Sequence, residues 1–457
     1  MMDTLLLKNC FFLKPAAGAD GTTGDDILIE DGVVSLVEKG IEADRNTRSI
    51  DCSHHVVVPG FVNTHHHFFQ TLTRNVPAVQ NAKLFTWLKY LYNVWQYLDD
   101  EAIYISSLLA MSELLKTGCT CSTDHLYLYP RLSGDFMELQ FSAAAKVGMR
   151  FSPSRGSMSL SKKDGGLPPD SVVQDESTII DDSYRVIEKF HDPSPRSMRK
   201  IVLAPCSPFS VTEELMRKTA EIARANGVML HTHLAETTDE DNYCMKRFGV
   251  RPMELMRRCD FLGPDVFFAH GIHFTDDELK ELQETDTRIA HCPSSNMRLG
   301  SGICRVREMT DLGITVSLAV DGSASNDSSD FLGEMRQALL LQRVRYGSAG
   351  ITADEVLKIA TENGAKVLGF DGVGRIEPGF AADIAVFDID RPEYCGSLSD
   401  PAAALLFCGY NHGAAYLVCN GHVVVDDYAL PGFDEEKLKS DANRIARRLL
   451  ERAGGEV

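Results

Sequence analysis

The chain has 457 residues, 44% hydrophobic and 24% charged, an ordinary globular composition long enough for one large core and a smaller unit. Its formal net charge of -19 disfavours a polyanion as partner, because a nucleic-acid binder needs a basic stripe that the sequence lacks, so a small-molecule substrate is expected. No apolar run reaches the roughly 18 residues of a membrane span, and the opening LLLKNCFFLK places lysines inside its apolar part, which reads as a first strand and not a signal peptide. The twelve cysteines contain no CxxC and no framework spacing, so reduced thiols in a cytoplasmic protein are expected.

In chain order, residues 1–58 alternate short apolar runs with turn signals, and Asp31-Gly32 sits between two strand-like pieces as a hairpin turn. From Val56 the pattern changes to short apolar strands alternating with longer helical stretches such as 212–226. That calls for βα units and a parallel sheet. Eight strands are predicted: HVVVPGFVNTH, CTCSTDHLYLY, GMRFSPSRGS, KIVLAPCSPFS, GVMLHTHLAE, VFFAHGIHF, TRIAHCPSSN and ITVSLAVDGSASN. Eight such units predict an α/β fold, a closed (β/α)8 TIM barrel over residues 59–370. Beyond about 370 short strands return, followed by a charged helix over 435–452. Residues 1–58 and 371–457 are therefore expected to build a second, small β-sandwich domain from both chain ends.

The polar residues cluster at the C-terminal ends of these strands, the face on which barrel enzymes build their sites. In order they are His65 and His67; Asp124 and His125; Arg155; Cys206; His231, His233 and Glu236; His270 and His273; His291; and Asp321. On a strand, residues two apart share a face, so His65 and His67 aim two imidazoles at one point while His66 faces the other way. A zinc ion takes three or four ligands, so later strands must supply the partners. The roles of His66, His125, His231, His273 and His291 stay open.

This constellation, HxH, then HxxE, then H and D at successive strand ends, resembles the amidohydrolase superfamily, in its mononuclear metal-dependent deaminase branch. The resemblance covers almost the whole chain. It implies one divalent metal, zinc expected and iron or manganese as alternatives, held by His65, His67, His233 and Asp321. Glu236 and His270 would be catalytic beside it, with Asp321 also taking the proton of an activated water. The fourth strand ends APCSPFS without the lysine that bridges two metals in binuclear members, and the PCxxC signature of the cytidine-deaminase type is absent.

Finer matches, among them VNTHHHFFQTLTR, LFTWLKYLYNVW, APCSPFSVT, HTHLAET, AHCPSSNMRLGSG and VDGSASND, imply hydrolysis of the exocyclic amine of 8-oxoguanine to urate and ammonia. Isoxanthopterin, guanine or a triazine are the alternatives on the same metal site, and a non-catalytic purine-binding protein is the alternative of a different class. By likeness, Gln70 is expected at the ring edge, Arg155 at a carbonyl oxygen, Cys206 near the 8-position and Trp87 over the flat base. A homo-oligomer is expected by the same likeness.

Overall fold

The computed structural model describes residues 4–42, 44, 47–130, 134–409 and 413–454. The predicted hairpin forms: Asp26–Glu30 pairs antiparallel with Val33–Glu38. Asp31 (φ 49°) and Gly32 (φ 81°) make the turn with two left-handed residues, the geometry that matches strand twist. With Leu5–Lys8 and Arg48–Asp51 these strands form a four-stranded sheet. A five-stranded sheet joins Phe12–Leu13 and His55–Pro59 to Ile384–Asp388, Tyr416–Cys419 and His422–Asp426, so segments from both ends of the chain meet in it. One apolar cluster spans the two sheets, with Leu5, Ile27 and Ile29 against Val57, Ile384 and Val418.

The stretch HVVVPGFVNTH, expected to be one strand, is two. His55–Pro59 belongs to the five-stranded sheet, and Phe61–Asn63 starts a separate parallel one. The chain crosses between them at Gly60, where a Cβ would lie 2.4 Å from Thr120 Oγ1, too close for any side chain.

From Phe61 the remaining strands pair in parallel and in sequence order. Phe61–Asn63 bonds Cys119–Ser122, which bonds Arg150–Phe151. A seven-stranded sheet then runs from His125–Leu126 through Ser154–Ser157, Val202–Pro205, Met229–Leu234, Val266–His270 and Arg288–His291 to Val316–Leu318. The last strand returns to the first: Thr64 N donates to Leu318 O (3.2 Å) and Asp321 N to His65 O (3.1 Å). These two bonds bring His65 and Asp321, 256 positions apart in sequence, side by side.

Helices cover the outside. Glu213–Asn226 begins at Thr212, whose hydroxyl accepts from Leu215 N, and ends at left-handed Gly227. It buries Leu215, Met216, Ala220 and Ala223 at helical spacing. The C-terminal helix Glu435–Arg452 buries Leu438, Ala442, Ile445 and Leu449. Arg444 and Arg448 tie it to Glu101, and Arg448 also to Asp99. Its apolar stripe shares a core with Trp87, Leu88 and Trp95 of helix Leu84–Trp95, so the chain's end backs the helix that carries Trp87. Among the described residues no helix is long and apolar enough to cross a membrane, and all twelve cysteines are unpaired.

Candidate metal centre and active site

His65 and His67 follow the first strand, which ends at Asn63, and both face the cluster while His66 between them turns away to Ser329 Oγ (3.0 Å). Asp124, at the end of the second strand, accepts from Phe68 N (2.6 Å) and from Gln140, fixing the turn that follows the three histidines. His233 arrives from the fifth strand and Asp321 from the loop after the eighth.

Hydrogen bonds determine which nitrogen of each ring carries the proton. His67 Nδ1 lies 2.8 Å from His125 O and His233 Nδ1 lies 2.6 Å from Cys206 O. A carbonyl only accepts, so both Nδ1 atoms must donate, and both Nε2 atoms carry lone pairs. Those Nε2 atoms face each other at 3.2 Å. His65 Nε2 is buried with no hydrogen-bond partner, 3.4 Å from Asp321 Oδ1, and His67 Nε2 lies 3.5 Å from the same oxygen. Three lone pairs and a carboxylate converging in a water-poor site repel one another unless a cation lies among them. The donor set therefore fits one divalent metal, and imidazole with carboxylate is a set that zinc takes.

Electrostatics point the same way. Burial drives His65 and His233 well below their ordinary pKa and lowers His67, so all three are neutral and able to donate lone pairs. Burial opposes ionisation of Asp321, and positive charge placed against it from the side of His65, His270 and His67, a protonated imidazole or a metal ion among the neutral rings, holds the carboxyl well below its usual range. Asp321 also adopts φ 62°, a strained conformation for a residue with a Cβ, and its Oδ1 accepts from Gly322 N (2.6 Å).

Glu236 stands beside this cluster with its pKa pushed up to about 7 by burial. His270 Nε2 is 3.6 Å from Glu236 Oε2, and His270 Nδ1 lies 2.9 Å from Asn296 Oδ1. Buried Glu240, one helical turn after Glu236, accepts from Ala235 N (3.0 Å) and Glu236 N (3.2 Å) and so fixes the loop that presents Glu236. His270 itself sits at φ 75°.

One cavity is lined by His67, His233, Glu236, His270 and Asp321 together with Gln70, Trp87 and Cys206. Gln70 Oε1 accepts from Ala324 N (3.3 Å), and Gly322 makes room for it, since a Cβ there would lie 2.0 Å from that oxygen. Trp87 Nε1 donates to Ala324 O (3.3 Å). The Cys206 thiol is pushed up to about 12 by burial and stays protonated.

Arg155 is the exception among the expected contacts. It is buried away from the cavity, paired with Asp182 (2.5 Å) and the Gln174 carboxamide (2.9 Å), with its guanidinium 4.2 Å over the Tyr129 ring. Its three guanidinium nitrogens bond Asp182, Gly156 O and the Gln174 carboxamide, and it is not among the residues that line the cavity, whereas the sequence places it at a ring carbonyl. Conversely, Tyr127, Tyr92 and Phe209 line the cavity without having been singled out. Tyr127 lies two residues after His125, and its ring meets His67 edge-on at 5.1 Å; alternation continued past His125 would have found it. Nothing in the spacing marks Asn296.

The sequence matches the amidohydrolase family over residues 56–424. It is 45% identical over 451 residues to an 8-oxoguanine deaminase of Pseudomonas aeruginosa, covering 98% of this chain and 100% of that protein. An isoxanthopterin deaminase from an unknown prokaryotic organism is 36% identical, covering 93% and 92% of the two chains. The crystal structure of an atrazine chlorohydrolase from Arthrobacter aurescens TC1 complexed with zinc superimposes with a TM-score of 0.92 at 27% identity, covering 97% of this chain and 100% of that one. The chain belongs to the amidohydrolase family.

Proposed function

We propose that this protein hydrolyses 8-oxoguanine to urate and ammonia. The observation that carries the reading is a raised, buried carboxyl, Glu236, lining the same cavity as His67, His233 and Asp321, with His65 against Asp321 behind them, in a chain 45% identical across its length to an 8-oxoguanine deaminase. His65, His67, His233 and Asp321 would hold one divalent ion, and zinc is favoured by the zinc complex of a structural relative. When bound, the ion supplies Lewis acidity that makes water nucleophilic near neutral pH.

The chain's own groups then divide the proton work. Glu236, whose carboxyl burial raises so that it can hold a proton near neutral pH, donates to ring N3 as water oxygen adds to C2. Asp321, ionised and buried, accepts one proton of the water and returns it to the amino group; as ammonia leaves and the C2 carbonyl forms, the remaining hydroxyl proton passes to the Glu236 carboxylate, which restores both groups. His270, fixed through Asn296, orients the attacking oxygen. Gln70 meets the ring edge, Cys206 lies by the 8-position and Trp87 covers the base. The unpaired cysteines favour a reducing, cytoplasmic setting. The pairing of first and last strands supports a closed (β/α)8 barrel over 59–370, and the apolar cluster between the outer sheets supports a β-sandwich unit from 1–58 and 371–457.

Isoxanthopterin is the second reading, favoured by the relative of that name at 36% identity. Incubation of 8-oxoguanine in ¹⁸O-labelled water tests the reaction: urate carrying one ¹⁸O and one equivalent of ammonia is expected. Unchanged 8-oxoguanine with metal-loaded protein would reject it.

A further inference from the structure

His231 carries no role in the reaction above, yet it makes the closest polar contact of the deepest histidine in the cluster. His65 Nδ1 lies 2.8 Å from His231 Nε2, and His231 Nδ1 lies 2.9 Å from Phe267 O. Both rings are fully buried, and His231 stacks on Phe267 at 4.1 Å with 13° between the planes, which leaves it no freedom to turn.

Proton positions along this chain follow from its terminus. Phe267 O can only accept, so His231 Nδ1 carries a hydrogen. A neutral imidazole has one donor and one acceptor, which makes His231 Nε2 the acceptor and His65 Nδ1 the donor. The lone pair of His65 is then forced onto Nε2, the atom that faces Asp321 at 3.4 Å and has no hydrogen-bond partner. His67 and His233 reach the same tautomer by donating directly to a carbonyl; His65 alone does so through a second imidazole. Because the chain ends on a carbonyl, which takes no proton, it cannot pass protons onward.

We infer that His231 is a positioning residue that locks His65 in the Nδ1–H tautomer through the His65–His231–Phe267 hydrogen-bond chain, and so presents the His65 Nε2 lone pair for metal binding. This rests on the metal site assigned above. Without an acceptor at Nδ1, His65 gains by moving its proton to Nε2, where it points at Asp321 and competes with the metal.

The test is zinc affinity, measured by chelator competition on wild type, His231→Leu and His231→Gln. Leucine removes the acceptor, whereas the glutamine Oε1 restores one. Leucine is expected to weaken zinc binding by about 10–100-fold and glutamine by no more than about threefold. Long-range ¹H–¹⁵N spectra of metal-free protein should show His65 protonated at Nδ1 in wild type and the glutamine variant, and at Nε2 in the leucine variant. Wild-type zinc affinity in a leucine variant, or equal loss in both variants with an unchanged His65 tautomer, would overturn the inference. Wild type that binds no zinc would remove the metal site itself, an outcome distinct from either.

Discussion

His67 and His233 point their unprotonated Nε2 atoms at each other across 3.2 Å, each ring held in place by its Nδ1 hydrogen on a backbone carbonyl. Metal binding relieves this repulsion and should appear as folding stability. At free zinc a thousandfold above Kd the gain is about 4 kcal/mol. A melting temperature that rises with zinc and falls on chelation is expected; one that ignores both would remove the metal from the account.

Glu236→Gln keeps the side chain's shape and deletes its proton. Turnover should fall by about 10²–10⁴-fold, the usual worth of a general acid, while zinc stoichiometry stays at one. Metal analysis alongside the rate separates this from loss of the ion.

Stability of the metal-free protein should peak near neutral pH. Buried His66, His231 and His291 are held neutral, with pKa lowered from 6.5 to about 3, so the unfolded chain binds more protons below 6.5 and stability rises with pH up to there. Glu240 and Glu334 are raised by burial from 4.5 to about 8. Their contribution is full below 4.5 and is lost as pH rises through about 8. Urea unfolding across this range should give a maximum between the two limbs; a monotonic rise past pH 8 would contradict the burial assigned to the glutamates.

Gln70 and Arg155 should differ in kinetics. Gln70→Ala is expected to lower kcat/KM by about 1–3 kcal/mol in the protein that remains folded, in addition to the stability lost when Ala324 N is left without its acceptor. Arg155→Met removes the contacts to Asp182, Gln174 and Gly156 O, though Asp182 keeps Arg185, and should destabilise the fold by about 1–3 kcal/mol, with KM unchanged in the protein that remains folded. A KM effect at Arg155 would return it to the site.

Much of this was legible in the sequence because barrel geometry converts strand ends into neighbours. The period of two put His65 and His67 together and His66 apart, and the hairpin at Asp31-Gly32 follows from two residues that tolerate positive φ. Likeness alone puts Arg155 at the site; its strand, Ser154–Ser157, follows a break at Ser152-Pro153 after Arg150–Phe151, so no alternation says which face it takes. The run through Pro59-Gly60 hid a change of sheet, because both halves are equally apolar and only the contact of Gly60 with Thr120 distinguishes them. His231 shares the face of His233, and the sequence cannot tell the ring that meets the metal from the ring one layer below it. Asn296 comes from the helix Pro293–Arg298, and no periodicity links it to His270.

The most direct test of the account is initial-rate ammonia release by zinc-loaded protein given 8-oxoguanine, isoxanthopterin and guanine side by side. The highest kcat/KM is predicted for 8-oxoguanine, with guanine lower by at least tenfold, about 1.4 kcal/mol in the transition state, because it lacks the oxygen and N7 hydrogen on the side where the proposed function puts Cys206. Equal or faster turnover of guanine or isoxanthopterin would leave the metal site standing and contradict the substrate.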